Sequence, residues 1–297
     1  MPVATSHDTL LADAQRVAGP LPDLLVGALH VAASMAVGLH GRRRVGQGDA
    51  FWQFRPYIAG DAPQTIDWRR SARGNDVFVR QFEWEAVQSV WLWRDASASM
   101  DYASAPGHQT KRNRADVMAL ALAQLLIRAG ERVSIIGAGS RSGHGRTRME
   151  SLANDLAYGA AASDTLPTAI PLPAHAEVVL FSDFLDPIDA VTPKLTALAQ
   201  RAITGYLVHI IDPAEETLPF DGRVQFQGVE TDTQTLVPRV DRVRGDYQAR
   251  FTAHRDAIAD LARSIGWTTI QHRTDQPPQH ALLALHQALT ATHGHRL

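Results

Sequence analysis

The chain has 297 residues, of which 45% are hydrophobic, and it carries a formal net charge of −2 and no cysteine. This length suits one large α/β domain with a smaller appended part and is ample to bury a core. The near-neutral charge excludes a globally basic nucleic-acid binder, and the lack of cysteine excludes disulfides, thiolate metal sites and thiol nucleophiles, so any chemistry must use oxygen or imidazole groups.

The first 40 residues favour neither secretion nor a membrane anchor. Acidic residues occupy the region where a signal peptide needs positive charge. The one long apolar stretch, from Leu24 to Leu39, is shorter than the roughly 20 residues that span a bilayer, and it includes His30 and Ser34. We interpret it as a buried helix and expect a cytoplasmic protein without a membrane span.

Residues 41–80 differ in composition from the rest of the chain. They hold eight arginines against four aspartates, a net charge of +4, together with several aromatic residues and turn-forming glycines. This composition predicts a separate N-terminal module over residues 1–85, made of a helix, turns and short strands.

Two interpretations of this basic segment remain open. Arginines beside aromatic faces over residues 42–80 suit nucleic-acid binding. Alternatively, the aromatic side chains pack the module against the main sheet and two aspartates pair with nearby arginines. We favour this interpretation because a net charge of +4 is modest for a nucleic-acid-binding domain. The residues concerned in the second interpretation are Trp52, Tyr57, Trp68, Asp61 and Asp67.

From about residue 76 onwards, short apolar strands alternate with helical segments. Strands are predicted over 77–82, Val87–Trp93, Arg132–Ile136, Glu177–Phe181, Gly205–Ile211, Val224–Val229 and Trp267–Gln271, and helices over Lys111–Ala129, Met149–Ala162, Pro193–Arg201, Gly245–Ile265 and Pro278–Thr290. This alternation is typical of a mostly parallel sheet with helices on both faces. We therefore predict a doubly wound, Rossmann-like α/β domain over residues 86–297.

Ligands of such sheets bind at the carboxyl ends of the strands, near the point where the strand order reverses. Asp95, Ser97 and Ser99 directly follow one predicted strand, and an extended turn would point all three the same way. Thr165 lies in a later loop, and Asp183 follows another strand. A carboxylate with neutral hydroxyls suits Mg²⁺ or Mn²⁺. Such a set leaves part of the positive charge of the ion uncompensated. An acidic side chain from a partner could therefore complete its coordination.

A simpler role for the same residues also remains open. Aspartate and serine often cap helices or turns without binding a metal, and Asp95 and Asp183 could do so here.

Residues 133–143 open like a dinucleotide-binding fingerprint, because an apolar strand leads into Gly137-Ala-Gly139. The third glycine position is Ser142, however, and basic residues follow where an apolar helix would begin. We predict a polar turn between two sheet strands here. The chain contains no G-x-x-x-x-G-K-[ST] sequence, and neither Ser97 nor Ser182 lies in a nucleophile elbow.

The pattern of Asp95, Ser97 and Ser99, with Thr165 and Asp183 in later loops, resembles the metal-ion-dependent adhesion site of von Willebrand factor A domains. Three upstream stretches resemble the signature of the bacterial family catalogued as domain of unknown function fifty-eight, whose members carry such an A-type domain. These stretches are Phe54-Arg-Pro-Tyr-Ile-Ala-Gly-Asp61, Ile66-Asp67-Trp68 and Ser71-Ala72-Arg73. The resemblance implies partnership with a MoxR-type AAA+ ATPase, in which the A-type protein is an adaptor for assembly or maturation of another complex.

We therefore expect a non-enzymatic adaptor that grips an acidic client side chain through a metal ion. Two functions from other classes remain as alternatives. One is nucleic-acid binding through residues 42–80, and the other is a metal-dependent hydrolase.

Overall fold

The computed structural model describes residues 45–58, 61, 63–74, 76–83, 89–105, 109–128, 131–137, 145–158, 166–167, 172–173, 176–229 and 233–295. These residues fall into two compact units, residues 45–83 and residues 89–295. The helix expected within the first 40 residues lies outside the described residues. Within the ranges given above, no helix combines the length and apolarity needed to cross a membrane.

The described part of the N-terminal unit contains an antiparallel strand pair, a 3₁₀ turn at Pro63–Thr65 and a short α-helix. β1 (Val45–Pro56) pairs with β2 (Phe78–Glu83), and α1 (Trp68–Ser71) lies between them in the chain. Asp67 caps α1, because its side chain accepts a hydrogen bond from the backbone N–H of Arg70. The local sequence thus explains where this helix begins.

Two arginines of this unit make contacts within it. Arg55 donates hydrogen bonds of 2.6 and 2.5 Å to Asp61, and this bonding lowers the pKa of the Asp61 carboxyl to about 2. The guanidinium of Arg70 lies 4.6 Å from the ring centroid of Phe54. The predicted pairing of Asp61 with an arginine is confirmed. Trp68 is 66% exposed, and the packing of the aromatic residues against the main sheet stays a prediction.

The second unit is built on a five-stranded parallel sheet. Its elements are β3 (Ser89–Arg94), α2 (Lys111–Arg128), β4 (Arg132–Ile135), α3 (Gly145–Tyr158), β5 (Glu177–Ser182), α4 (Ile188–Ala199), β6 (Thr204–Ile211), α5 (Pro213–Thr217), β7 (Val224–Gln227), β8 (Gln234–Val237), α6 (Val240–Ser264), β9 (Thr268–Arg273) and α7 (Gln279–His295). The strand order is β4-β3-β5-β6-β9, and every neighbouring pair is parallel. β7 and β8 form a separate antiparallel hairpin.

Helices cover both faces of the sheet. Alternate residues of a strand point to opposite faces, so Val90 and Val179 pack with α2, α3 and α7, whereas Trp93 and Val178 pack with α4 and α6. The prediction of an α/β fold with a central parallel sheet flanked by helices is confirmed.

Some helices begin earlier than their apolar patterns indicate. α4 begins at Ile188 and α6 at Val240, ahead of the predicted starts at Pro193 and Gly245. Asp189 lies in the first turn of α4, where a negative charge stabilises a helix N-terminus. Polar residues of the first turn therefore belong to the helix although they do not contribute to its apolar face.

The segment that follows β4 is described only in part. Ile136 and Gly137 form a turn after β4, and the next element that the structure describes is the helix α3. Most of the predicted polar turn lies outside the described residues, so a turn between two sheet strands stays a prediction. Arg148 on α3 is buried and donates hydrogen bonds of 3.2 and 2.8 Å to the carbonyl oxygen of Val133. Because a strand carbonyl accepts hydrogen bonds from its guanidinium, this arginine can lie on the buried face of α3. Residues 138–144, with the second glycine of the fingerprint, lie outside the described residues.

Gly205 in β6 packs directly against the indole of Trp267. A Cβ atom on Gly205 would lie 2.0 Å from Cε3 of that ring. The indole N–H donates a hydrogen bond of 3.1 Å to the carbonyl oxygen of Ile203, and Trp267 is only 5% exposed. The ring cannot move away without losing this bond, so only glycine fits at position 205.

The substitution Gly205→Ala is expected to destabilise the sheet unit by about 1–3 kcal/mol, because the added methyl overpacks a buried ring. Gly245→Ala is the matched control, since Gly245 lies in α6 with open space around its Cβ position, and the change should stabilise by up to about 1 kcal/mol. Urea unfolding followed by far-UV circular dichroism measures both. Equal midpoints for the two variants would contradict the contact.

His272 in β9 is a buried imidazole. It is 3% exposed, and its Nε2 atom has no hydrogen-bond partner among the residues described. Burial, assisted by the positive charge of Arg114, lowers the pKa of His272 to about 4. The imidazole is therefore neutral at pH 7.

Because the pKa of His272 is lower in the folded chain than the usual 6.5, the unfolded chain binds more protons between these values. Stability should therefore fall as the pH drops from 6.5 towards 4. His272→Leu removes this contribution, and we expect its loss of unfolding free energy between pH 7.5 and 5 to be smaller than that of the wild type by about 2 kcal/mol. Urea unfolding at the two pH values measures it.

The exposed His280 provides the control for this measurement. His280→Leu should keep the pH dependence of the wild type. Identical pH dependence in His272→Leu and the wild type would show that His272 is not held neutral by burial.

Candidate metal centre

Two of the predicted site residues lie at the point where the strand order reverses. β3 lies between β4 and β5, so the chain first builds outward on one side of β3 and then on the other. The helices α2 and α4, which follow β3 and β5, pack on opposite faces. Such a divergence opens a crevice at the carboxyl ends of the two strands. Asp95 and Asp183 directly follow these strands.

Asp95 is buried, and it forms hydrogen bonds with the end of β5 and with the turn that follows β3. Its backbone N–H donates to the carbonyl oxygen of Phe181 at 2.9 Å, which continues the pairing of β3 with β5. Its Oδ1 accepts a hydrogen bond of 2.8 Å from the backbone N–H of Ser97, and its Oδ2 accepts one of 2.6 Å from the hydroxyl of Ser182. The carboxylate is therefore fixed in orientation beside the serine turn.

Ser97 and Ser99 bring their hydroxyl groups together. Their Oγ atoms are 3.0 Å apart, and both residues are buried. The predicted extended turn is wrong beyond Ser97, because Ala98–Asp101 forms a 3₁₀ turn in which the N–H of Met100 donates to the carbonyl oxygen of Ser97. The tight curvature of this turn, rather than an extended backbone, sets the two hydroxyls side by side.

The first turn of α2 holds the serine turn in place. Arg112 donates hydrogen bonds of 3.0 and 3.1 Å to the carbonyl oxygens of Ala96 and Ser97. Its guanidinium also donates two hydrogen bonds to the carboxylate of Asp101. The backbone that carries the hydroxyls is therefore fixed from outside as well as by its own turn.

Asp183 is paired with a buried lysine. The Nζ atom of Lys111 donates to Oδ2 of Asp183 at 2.7 Å and also to Oε1 of Glu215 on α5. Among the described residues, Oδ1 of Asp183 accepts only a long bond of 3.4 Å, from the backbone N–H of Leu185. One oxygen of Asp183 is thus strongly held and the other weakly.

Burial dominates the electrostatics of this edge. It raises the pKa of the Asp95 carboxyl, although hydrogen bonds from Ser182 and Ser97 act in the opposite direction. Burial alone would lower the pKa of the Lys111 ammonium, but the charges of Asp183 and Glu215 outweigh it and raise that pKa. Lys111 is therefore a permanent positive charge at neutral pH.

A cavity of about 330 Å³ opens at this edge. Its polar lining comes from Asp95, Ser99, Ser182, Asp183 and Asp186, and its apolar lining comes from Leu166, Phe184, Leu185, Pro187, Val191 and Val229. Thr165 lies outside the described residues, whereas Leu166, which follows it, lines the cavity. The structure thus brings Asp95, Ser97, Ser99 and Asp183 to one place.

These side chains are compatible with a bound Mg²⁺. Two adjacent oxygens of an octahedral Mg²⁺ site with bond lengths of about 2.1 Å are about 3 Å apart, and the hydroxyls of Ser97 and Ser99 are 3.0 Å apart. In the portion of the chain that the structure covers, no group of three or more His, Asp or Glu side chains could hold a metal ion. The residues that fit an ion here are therefore a hydroxyl-rich set with few charges.

Sequence reasoning missed Lys111 and Glu215. Lys111 is the first residue of a long helix, a position where lysine is normally exposed. A signal for Glu215 does exist, because Asp212-Pro-Ala-Glu215 is a capping box in which the Glu215 side chain accepts from the backbone N–H of Asp212. That motif predicts the start of α5 but not the contact with Lys111.

Comparisons with known proteins bear on the family of this chain. Residues 53–257 match the family described as protein of unknown function DUF58. Uncharacterized proteins of Mycobacterium bovis and Mycobacterium tuberculosis are each 28% identical over 246 residues, which is 78% of this chain and 76% of the relative. A crystal structure of the conserved hypothetical protein BatB from Bacteroides thetaiotaomicron aligns with a TM-score of 0.30 and 10% identity, over 59% of this chain and 99% of that chain. Since the family match covers more than half of the sequence, the chain belongs to the DUF58 family.

Proposed function

We propose that this protein is a non-enzymatic adaptor that binds an acidic side chain of a partner protein through Mg²⁺ or Mn²⁺. The ion would be held by Ser97, Ser99, Asp95 and Asp183, in the manner of a von Willebrand factor A adhesion site. The observation that carries the proposal is the pair of serine hydroxyls 3.0 Å apart at the carboxyl end of β3.

The residues of this site suit the capture of a carboxylate. A bound Mg²⁺ would supply positive charge and a coordination position for the incoming oxygen. Ser97 and Ser99 contribute neutral oxygens, and the ammonium of Lys111 already offsets part of the charge of Asp183, so the two aspartates do not fully compensate a divalent ion. A partner carboxylate would complete the neutralisation.

The cavity offers contacts beyond the acidic group. Leu185 is 45% exposed and Val229 is 55% exposed, and both line the cavity. Exposed apolar side chains around a polar site provide a contact for the apolar neighbours of a bound residue. Thr165, which precedes the cavity residue Leu166, is proposed as a further hydroxyl ligand.

The partner is proposed from the family resemblance rather than from the geometry. The sequence motifs resemble those of proteins that work with a MoxR-type AAA+ ATPase, so we propose that this chain acts with such an ATPase in the cytoplasm, in assembly or maturation of another protein complex. The nucleic-acid alternative gains little from the structure, because Arg55 and Arg70 make contacts within their own unit. No observation on the described residues specifically favours the hydrolase alternative.

Replacement of the serine hydroxyls tests the metal site. Ser97→Ala and Ser99→Ala should each weaken Mn²⁺ binding by about tenfold or more, because each removes an oxygen from the ion's coordination. Electron paramagnetic resonance of Mn²⁺ titrated into the whole chain measures the affinity. Ser264→Ala is the control, since Ser264 is an exposed serine whose hydroxyl only bonds to the end of its own helix.

The same variants test the adaptor role. Capture of a MoxR-type ATPase by the wild-type chain should be lost on addition of a chelator and in Ser97→Ala, and it should persist in Ser264→Ala. If the ATPase is captured equally well with the chelator and by Ser97→Ala, binding of the partner does not depend on a metal ion and the proposal is refuted.

A further inference from the structure

Lys111 is a buried cation placed beside the candidate metal centre. Its side chain is 0% exposed, and its Nζ atom bonds Asp183 and Glu215 and lies 6.0 Å from the ring centroid of Tyr102. A buried ammonium is costly unless neighbouring charges compensate it. Asp183 and Glu215 provide that compensation, but Asp183 is also a proposed metal ligand.

The contact with Lys111 changes the ability of Asp183 to act as a metal ligand. The short bond of 2.7 Å occupies Oδ2, and the weakly held Oδ1 remains for another partner. The ammonium also repels any divalent ion that approaches Asp183, because charges at buried sites are poorly screened. Asp183 is therefore held in place and weakened as a ligand by the same bond.

Glu215 controls how strongly this repulsion acts. It shares the ammonium with Asp183, and its other oxygen accepts a hydrogen bond of 3.0 Å from the backbone N–H of Asp212. Its negative charge offsets that of Lys111, which leaves the charge of Asp183 partly available. The three side chains form one coupled set, in which Lys111 and Glu215 act on the metal centre in opposite directions.

We propose, on the basis of the proposed function, that Lys111 is a positioning residue that limits the affinity of the site for a free metal ion. Tight binding of the ion then requires a second carboxylate, which a partner brings. Metal and acidic partner consequently bind as a cooperative pair, and the site releases its ion when the partner leaves.

This role predicts changes of opposite sign in two variants. Lys111→Met removes the repelling charge and should tighten Mn²⁺ binding in the absence of a partner by about tenfold or more. Glu215→Gln leaves the ammonium less compensated and should weaken binding by a similar factor. In the double variant, Lys111→Met with Glu215→Gln, the two effects should largely cancel. A purely structural role of the cluster would instead weaken binding in all three.

The experiment titrates Mn²⁺ into the full chain, with and without excess acetate as the carboxylate probe, and follows free Mn²⁺ by electron paramagnetic resonance. Acetate should tighten binding to the wild type several-fold and have a smaller effect on Lys111→Met. Thermal melting by circular dichroism establishes that each variant is folded. Lys111→Arg keeps the charge and should retain wild-type affinity. If Lys111→Met does not fold, Glu215→Gln and the acetate effect still decide the outcome.

The outcomes separate this inference from the function on which it rests. If the wild type binds Mn²⁺ through Ser97 but folded Lys111→Met and Glu215→Gln show unchanged affinity, the inference is overturned and the metal site stands. If the wild type shows no binding that depends on Ser97, with or without acetate, the proposed function fails. In that case a gain of Ser97-dependent binding in Lys111→Met supports the repulsion by Lys111 but overturns its cooperation with a carboxylate, and no gain overturns both.

Discussion

Charges buried at the carboxyl edge of the sheet must be compensated by nearby groups, and this requirement organises the candidate site. Lys111 is held by Asp183 and Glu215, and the carboxylate of Asp95 accepts hydrogen bonds from Ser97 and Ser182. Apart from the local bond between Ser97 and Asp95, these contacts join separate segments of the chain. The bonds that compensate the buried charges therefore also fix the distances between the oxygens that would receive a metal ion.

The strand order determines which strand ends remain available for a ligand. The helices after β3 and β5 diverge to opposite faces, so Asp95 and Asp183 border a cavity. Asp212 follows β6 in the same way, but its carboxylate caps α5 and accepts a hydrogen bond of 3.0 Å from the N–H of Ser104. One of these three aspartates is therefore structural. Through the capping box it also orients Glu215 towards Lys111.

The sequence predicts the sheet well because its strands are continuous apolar runs, and it predicts Asp95 and Asp183 because residues at strand ends share an edge. It could not predict the role of Lys111, which lies 72 residues from Asp183 and 104 residues from Glu215. The 3₁₀ turn of Ser99 was missed because alternation in sequence does not distinguish an extended backbone from a tight turn. Contacts between distant segments thus determine the charge of the site, whereas local patterns determine only its position.

Anomalous diffraction from crystals of this chain soaked with Mn²⁺ and excess acetate, the carboxylate probe, tests the central claim most directly. The account predicts one strong peak at the carboxyl edge of the sheet, about 2.1 Å from the Oγ atoms of Ser97 and Ser99, with Lys111 still bonded to Asp183. A map without a peak at the two hydroxyls, or with the ion bound only at other surface carboxylates, would contradict it.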